Sequence, residues 1–264
     1  MRRLSGWTGV VALSMALSAA ACGGGEQTAP ATPATSTGTG PRIDAATVSE
    51  IKGTITVDGT VPANERIRMI ADPACNRQAQ GDQFQETYAV GADGKSLGNV
   101  FIHIKDGLGN YSYDAVTTPV VLDQQGCRYR PHVFGIRVGQ PLEIVNNDPT
   151  LHNIHALPKS NTEFNNGQPI QGMKTTHTFT QAEVMVPFKC DVHGWMNAFV
   201  GVLDHPFFAV SGADGSFSLK GVPPGTYTLE AWHEKLGTMT QSVTVGSSET
   251  KDVAFTFKVP AATN

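Results

Sequence analysis

Phe134-Gly135-Ile136-Arg137-Val138-Gly139-Gln140-Pro141-Leu142-Glu143-Ile144-Val145 decides the fold class. On either side of the Gly-Gln-Pro turn its side chains alternate with period two, the pattern of half-buried strands. The same period appears at Val184-Met185-Val186-Pro187-Phe188, and Val100-Phe101-Ile102-His103-Ile104 is a β-branched run. Ile51, Thr54-Ile55-Thr56-Val57 and Gly59-Thr60-Val61 read as strands joined at an Asp58-Gly59 turn. No twelve-residue stretch carries an amphipathic helical stripe. Of 264 residues, 28 are glycine and 16 proline, too many for a helical bundle, and no G-X-Y period suggests collagen. With 40% apolar residues the chain can bury a core, which excludes wholesale disorder. The expectation is an all-β protein built from two β-sandwiches. A net charge of −4 gives no basic field for nucleic acid.

The N-terminus reads as an address. Arg2 and Arg3 precede an apolar run from Val10 to Ala21 that is too short for a confident membrane span. Ala19-Ala20-Ala21-Cys22-Gly23 resembles the lipobox of bacterial lipoproteins, which implies lipidation of Cys22 after removal of residues 1–22. Ala19 departs from the leucine usual there, so ordinary signal-peptidase cleavage is the alternative. Either reading predicts a protein outside the cytoplasm; the first predicts one in the cell envelope, lipid-anchored to a membrane and facing periplasm or exterior. Residues 23–45 are mostly Gly, Ala, Thr, Pro and Ser, a flexible linker.

Near the other end stand Gly212-Ala213-Asp214-Gly215-Ser216-Phe217-Ser218-Leu219 and Gly221-Val222-Pro223-Pro224-Gly225-Thr226-Tyr227-Thr228-Leu229. Asp-Gly and Pro-Gly pairs mark their turns. This stretch resembles carboxypeptidase-regulatory (transthyretin-like) domains, whose first half is matched by Gly53 to Pro62. The resemblance implies one regulatory-like sandwich, residues 46–116 plus 206–258, split by an inserted module at 117–205. Two consecutive domains meeting near His205 are the alternative.

The chemistry lies in the insert. Cys190-Asp191-Val192-His193-Gly194-Trp195-Met196 ends an alternating strand, and Asn146-Asn147-Asp148-Pro149-Thr150-Leu151-His152-Asn153 ends another about forty residues upstream. A thiolate, two imidazoles and a thioether form the ligand set of a blue-copper site; methionine argues against zinc, the bland alternative. This resembles the cupredoxins, Greek-key sandwiches, and in particular plastocyanin- and amicyanin-like members. The resemblance implies one type 1 copper with His152, Cys190 and His193 as equatorial ligands and Met196 as axial ligand. His155, three residues on, is a possible competitor for the place of His152. Pro187 in the strand before Cys190 predicts an edge or a bulge.

Four cysteines then divide. With Cys22 lipidated, a Cys75–Cys127 disulfide would leave Cys190 for the metal; the rival is a second metal site joining Cys75 or Cys127 to His132. His-x-His pairs, a P-loop and His-Glu-x-x-His are all missing from the sequence. The expectation is therefore not an enzyme but a blue-copper electron carrier passing single electrons between partner redox proteins such as cytochromes or oxidoreductases. Copper storage without electron transfer, and a non-redox adhesion or carbohydrate-binding lipoprotein, are the alternatives.

Overall fold

The computed structural model describes residues 38–260. The expected signal with Cys22, and most of the linker 23–45, lie outside these residues. Among the described residues no helix is long and apolar enough to cross a membrane.

The chain is all-β, with two pairs of facing sheets. In the first sandwich, Ser49–Asp58 lies between Ser216–Val222, antiparallel, and Thr250–Lys258, parallel. The second sheet of this sandwich runs Phe208–Val210, Phe101–Asp106, Gly225–His233, Gly237–Val245. Alternation decides which side chains face inward: Val253, Phe255 and Phe257 from the last strand meet Ile51, Ile55, Phe217, Leu229 and Val243 in one core. Each such aromatic or aliphatic side chain contributes about 1.5–3 kcal/mol on burial. The expected strand at Gly59-Thr60-Val61 does not form. Gly59 takes φ +104°, and the backbone beyond it leaves the sheet instead of turning into a hairpin.

The second sandwich faces a four-stranded sheet, Lys174–Thr178, Pro141–Asn146, Val120–Gln124, Tyr129–Arg130, against a five-stranded one. The latter runs Phe164–Gln168, His152–Ala156, Glu183–Lys189, Asn197–Leu203, Val133–Arg137. The strand carrying Pro187 is interior, and its irregularity is a bulge: Met185 has φ +60°, and the register shifts between Glu183 and Val186. Pairing with His152–Ala156 is confined to His155–Lys189 and Ala156–Phe188; beyond it Pro187, which has no N–H to donate, still accepts the Leu157 N–H at 2.9 Å.

A short segment inside the stretch 46–116 packs on this second core rather than the first. Ile67, Met69 and Cys75 are buried among Leu122, Tyr129, Phe188 and Met196. The segment ends in the helix Pro73–Gln78, here α1, capped by Asp72, whose Oδ1 accepts the N–H of Ala74 at 2.6 Å and of Cys75 at 3.1 Å. Proline at the first helical position needs no partner for its nitrogen. Cys75 is bonded to Cys127 across 52 residues of sequence, which clips α1 to the second sandwich.

The two sandwiches meet through aromatic rings. Gly135 and Gly201 are directly paired on neighbouring parallel strands, and a Cβ built on either would overlap the Phe208 or Phe101 ring. Those rings, 5.8 Å apart and stacked, lie on this bare backbone. Phe199 against Trp232, and His132 Nε2 at 2.6 Å from a Glu234 carboxylate oxygen, complete the contact.

Three outcomes are expected. Gly201→Ala should overpack the joint and lower the free energy of unfolding by about 1–3 kcal/mol in urea titrations, whereas Gly139→Ala, at a site with open space but φ +79°, should show only the backbone cost. Opening the 52-residue loop with Cys75→Ser/Cys127→Ser should cost about 4 kcal/mol by chain entropy, measured on metal-free protein. The third concerns His233, which is buried, with Nδ1 accepting the N–H of Lys235 and Leu236 at 3.2 Å. Burial lowers its pKa to about 4. As pH falls, the unfolded chain, with its histidine near 6.5, binds the proton first, so stability held above that value is lost between about 6.5 and 4. Replacing it with asparagine (His233→Asn) should remove about 2 kcal/mol of that acid loss when urea midpoints at pH 7.5 and 4.5 are compared.

Candidate metal centre

Three ligand-type atoms converge at one end of the second sandwich. His152, Cys190 and His193 each present one nitrogen or sulfur within 4.8 Å of the others, and all three residues are buried. His152 begins its strand. The loop before it is held by Asn146, whose Nδ2 donates to the carbonyls of Thr150 at 2.9 Å and Gln168 at 2.8 Å, and whose Oδ1 accepts the Asp148 N–H. Asp148 in turn accepts the N–H groups of Gly126 and Cys127. This is why asparagine and aspartate recur in that loop: their side chains supply the hydrogen bonds that a strand ladder would otherwise supply.

Cys190 follows the strand Glu183–Lys189, and its loop closes on itself. The N–H of Met196 donates to the His193 carbonyl at 2.9 Å, that of Cys190 to the Met196 carbonyl at 3.1 Å, and that of His193 to Cys190 Sγ at 3.3 Å. Asn153 Oδ1 lies 3.2 Å from the sulfur and accepts the Asp191 N–H at 2.7 Å. Met196 is buried at the foot of this loop. Trp195 covers it, with its ring 5.0 Å from that of His193 and its Nε1–H donating to the Cys127 carbonyl at 3.0 Å.

The histidine orientations carry the chemistry. Nδ1 of His152 lies 2.9 Å from Nδ1 of His193, and the latter is 3.9 Å from Cys190 Sγ. The opposite nitrogens face carboxylates: His152 Nε2 is 2.9 Å from Asp148 Oδ2, and His193 Nε2 is 3.0 Å from Asp72 Oδ2. An ionised carboxylate only accepts, so each Nε2 carries a proton, and in the neutral ring each Nδ1 keeps its lone pair. Two lone pairs and a sulfur thus point at one small volume.

Charge follows the same logic. Burial pushes the Cys190 thiol upward, but the facing His152 and His193 rings and the His193 backbone N–H outweigh it and bring its pKa down to about 5. Burial opposes charging of both imidazoles, yet the carboxylates and the sulfur raise them. Asp72 and Asp148 are held below the usual carboxylate range despite burial, through backbone donors and their histidines. A thiolate beside two imidazole nitrogens is a donor set for a soft or borderline cation such as copper or zinc.

His155 stands apart from this cluster. Its Nδ1 faces Asp191 at 2.8 Å and its Nε2 faces Glu163 at 2.9 Å, so both ring nitrogens are committed to carboxylates. His132 is held by the Asn197 carbonyl and Glu234, while Cys75 and Cys127 are bonded to each other. Sequence reasoning missed Asp72, Asp148 and Asn153. Asp148 lies four residues before His152 in the loop already quoted, but Asp72 is 121 residues from the histidine it holds. Its only local signal is the Asp-Pro opening of a helix.

Residues 196–258 match the family model of the carboxypeptidase regulatory-like domain. No curated protein sequence matches the chain. Among solved structures, a copper(I) methionine-to-alanine variant of amicyanin aligns at 21% identity over 34% of this chain and 86% of its own, with a TM-score of 0.29. An oxidised proline-to-alanine variant of amicyanin aligns at 23% over 32% and 81%, with a TM-score of 0.29. A copper-containing nitrite reductase from Thermus scotoductus SA-01 aligns at 22% over 36% of this chain but only 24% of its own, with a TM-score of 0.30. Over residues 196–258 the chain is thus similar to carboxypeptidase regulatory-like domains, and over about a third of its length to amicyanin.

Proposed function

We propose that this chain is an exported, lipid-anchored blue (type 1) copper protein that passes single electrons between partner redox proteins. The observation that carries the reading is the convergence of His152 Nδ1, His193 Nδ1 and Cys190 Sγ, with both Nε2 atoms turned away onto carboxylates. These three would hold one copper ion, with Met196 as the fourth ligand. Bound copper would supply one-electron cycling between Cu(I) and Cu(II), for which thiolate and imidazole are matched to the two valences.

The protein residues would do the rest. Burial of His152, Cys190 and Met196 keeps water from the ligand atoms. The closed Cys190–Met196 loop and the braced Asn146–His152 loop hold the donors in place whichever valence is present, so little reorganises when an electron arrives or leaves. No enzymatic step is part of this reading; its partners are redox proteins on the outer side of a membrane, with Cys22 as the tether.

A second reading is copper holding without electron transfer. Burial of the whole cluster favours it, since an ion enclosed on all sides is also well retained.

Copper-loaded protein from residue 42 onward should show an intense visible thiolate-to-copper band, and Cys190→Ser should abolish it while retaining the β-sheet circular dichroism. Absence of the band in wild type, or its survival in the variant, overturns the copper assignment. Reversible reduction at an electrode supports the carrier; failure to cycle with copper bound selects the storage reading.

A further inference from the structure

We propose that Asp72, contributed by the α1 segment that precedes the metal-bearing module, is a positioning residue of the centre: it sets the tautomer of His193 and favours the higher-valent ion. The proposal rests on the copper reading above and adds to it a residue far from the ligands in sequence.

Both carboxylate oxygens of Asp72 are fully employed, and in opposite directions. Oδ1 accepts the N–H groups of Ala74 and Cys75, which caps α1. Oδ2 accepts the Thr150 hydroxyl at 2.9 Å and faces His193 Nε2 at 3.0 Å. Thr150 belongs to the loop that delivers His152, so one oxygen ties together the supports of both histidines. The position of Asp72 is set independently of the ligand loop, because α1 is anchored by the Cys75–Cys127 bond, with Cys75 Sγ 3.7 Å from the same His193 nitrogen. A carboxylate held this way can only accept. It therefore obliges His193 to carry its proton on Nε2 and to offer Nδ1 inward. Together Asp72, Asp148 and Cys190 place three negative charges around the volume. With neutral imidazoles the assembly carries −1 around a divalent ion and −2 around a monovalent one, so removing one carboxylate weakens the divalent state more.

Asparagine and serine separate this role from folding. Both cap helices about as well as aspartate, so Asp72→Asn and Asp72→Ser should keep α1 capped and the metal-free protein folded, with unchanged β-sheet circular dichroism. Neither can present a charged acceptor to His193 while capping α1. An asparagine has one accepting oxygen and one donating amide. If the oxygen caps the helix, the amide meets Nε2 and demands its lone pair, which moves the proton to Nδ1.

The expected result is that both variants bind Cu(II) about tenfold more weakly, with asparagine the worse of the two, while Cu(I) affinity changes much less. A tenfold difference between valences corresponds to a rise of about 59 mV in the one-electron potential, read by spectroelectrochemistry and by competition with chelators for each valence. Cu(II) affinity and potential matching wild type in both variants would overturn the role of Asp72. A wild-type protein that takes up no copper would instead overturn the copper reading itself, so the two failures are distinct.

Discussion

Two imidazole nitrogens held 2.9 Å apart beside a thiolate sulfur repel one another unless a cation or a shared proton lies between them, and most of the neighbouring structure serves to hold them there. The carboxylates behind the rings offset part of the desolvation of the histidines, and backbone N–H groups offset that of the carboxylates. Each layer is satisfied by the next: Asp148 by the Gly126 and Cys127 N–H groups, Asp72 by its helix and by Thr150. Removing one partner would leave a buried charge exposed to its own desolvation cost, which is why such networks hold or fail as units.

The β-sandwich suits this task because its strand ends are fixed by ladders that do not depend on a bound cation. His152 starts a strand paired on both sides, and Cys190 stands one residue past Lys189, the last residue paired with Asn197. The loop between Cys190 and Met196 therefore spans two fixed points. Three internal hydrogen bonds leave it little freedom. Tight loops with strained or unusual residues gather here: Cys127 adopts φ +54° within reach of Asp148, a conformation that costs about 1–3 kcal/mol in a non-glycine residue and persists when its surroundings over-determine it.

What the sequence discloses about such a site depends on distance along the chain. The spacing Cys190, His193, Met196 is local and therefore legible, and His152 is legible because asparagine-rich strand ends advertise a braced loop. The turn at Asp214-Gly215 is legible for the same reason, since its glycine takes φ +75°, a local requirement. Gly135 and Gly201 are not. Each resembles an ordinary strand glycine, and only the pairing of the two strands reveals the flat seat for Phe101 and Phe208. The expected strand at Gly59–Val61 fails because an alternating triplet beside a turn is too short to outweigh the path that the chain must take afterwards. Asp72 lies beyond any periodicity argument: the strands flanking its segment, Arg66–Ile67 and Gln83–Phe84, are two residues long.

That path binds the two sandwiches into one functional object. From the strand Ser49–Asp58 the chain leaves the first sandwich, lays α1 against the candidate metal centre, and returns as Phe101–Asp106 before entering the second. A piece comprising only residues 117–205 would carry His152, Cys190, His193 and Met196, yet it would lack Asp72 and leave Cys127 without its partner sulfur. That piece would hold all the candidate ligands but not the carboxylate that orients His193. Any free energy gained by binding a cation is then shared with α1 through Asp72 and the disulfide, and with the first sandwich through the strands that α1 joins. Stabilisation by a ligand reaches every part that must be folded for the site to exist, and here that includes the first sandwich, which supplies none of the candidate ligands.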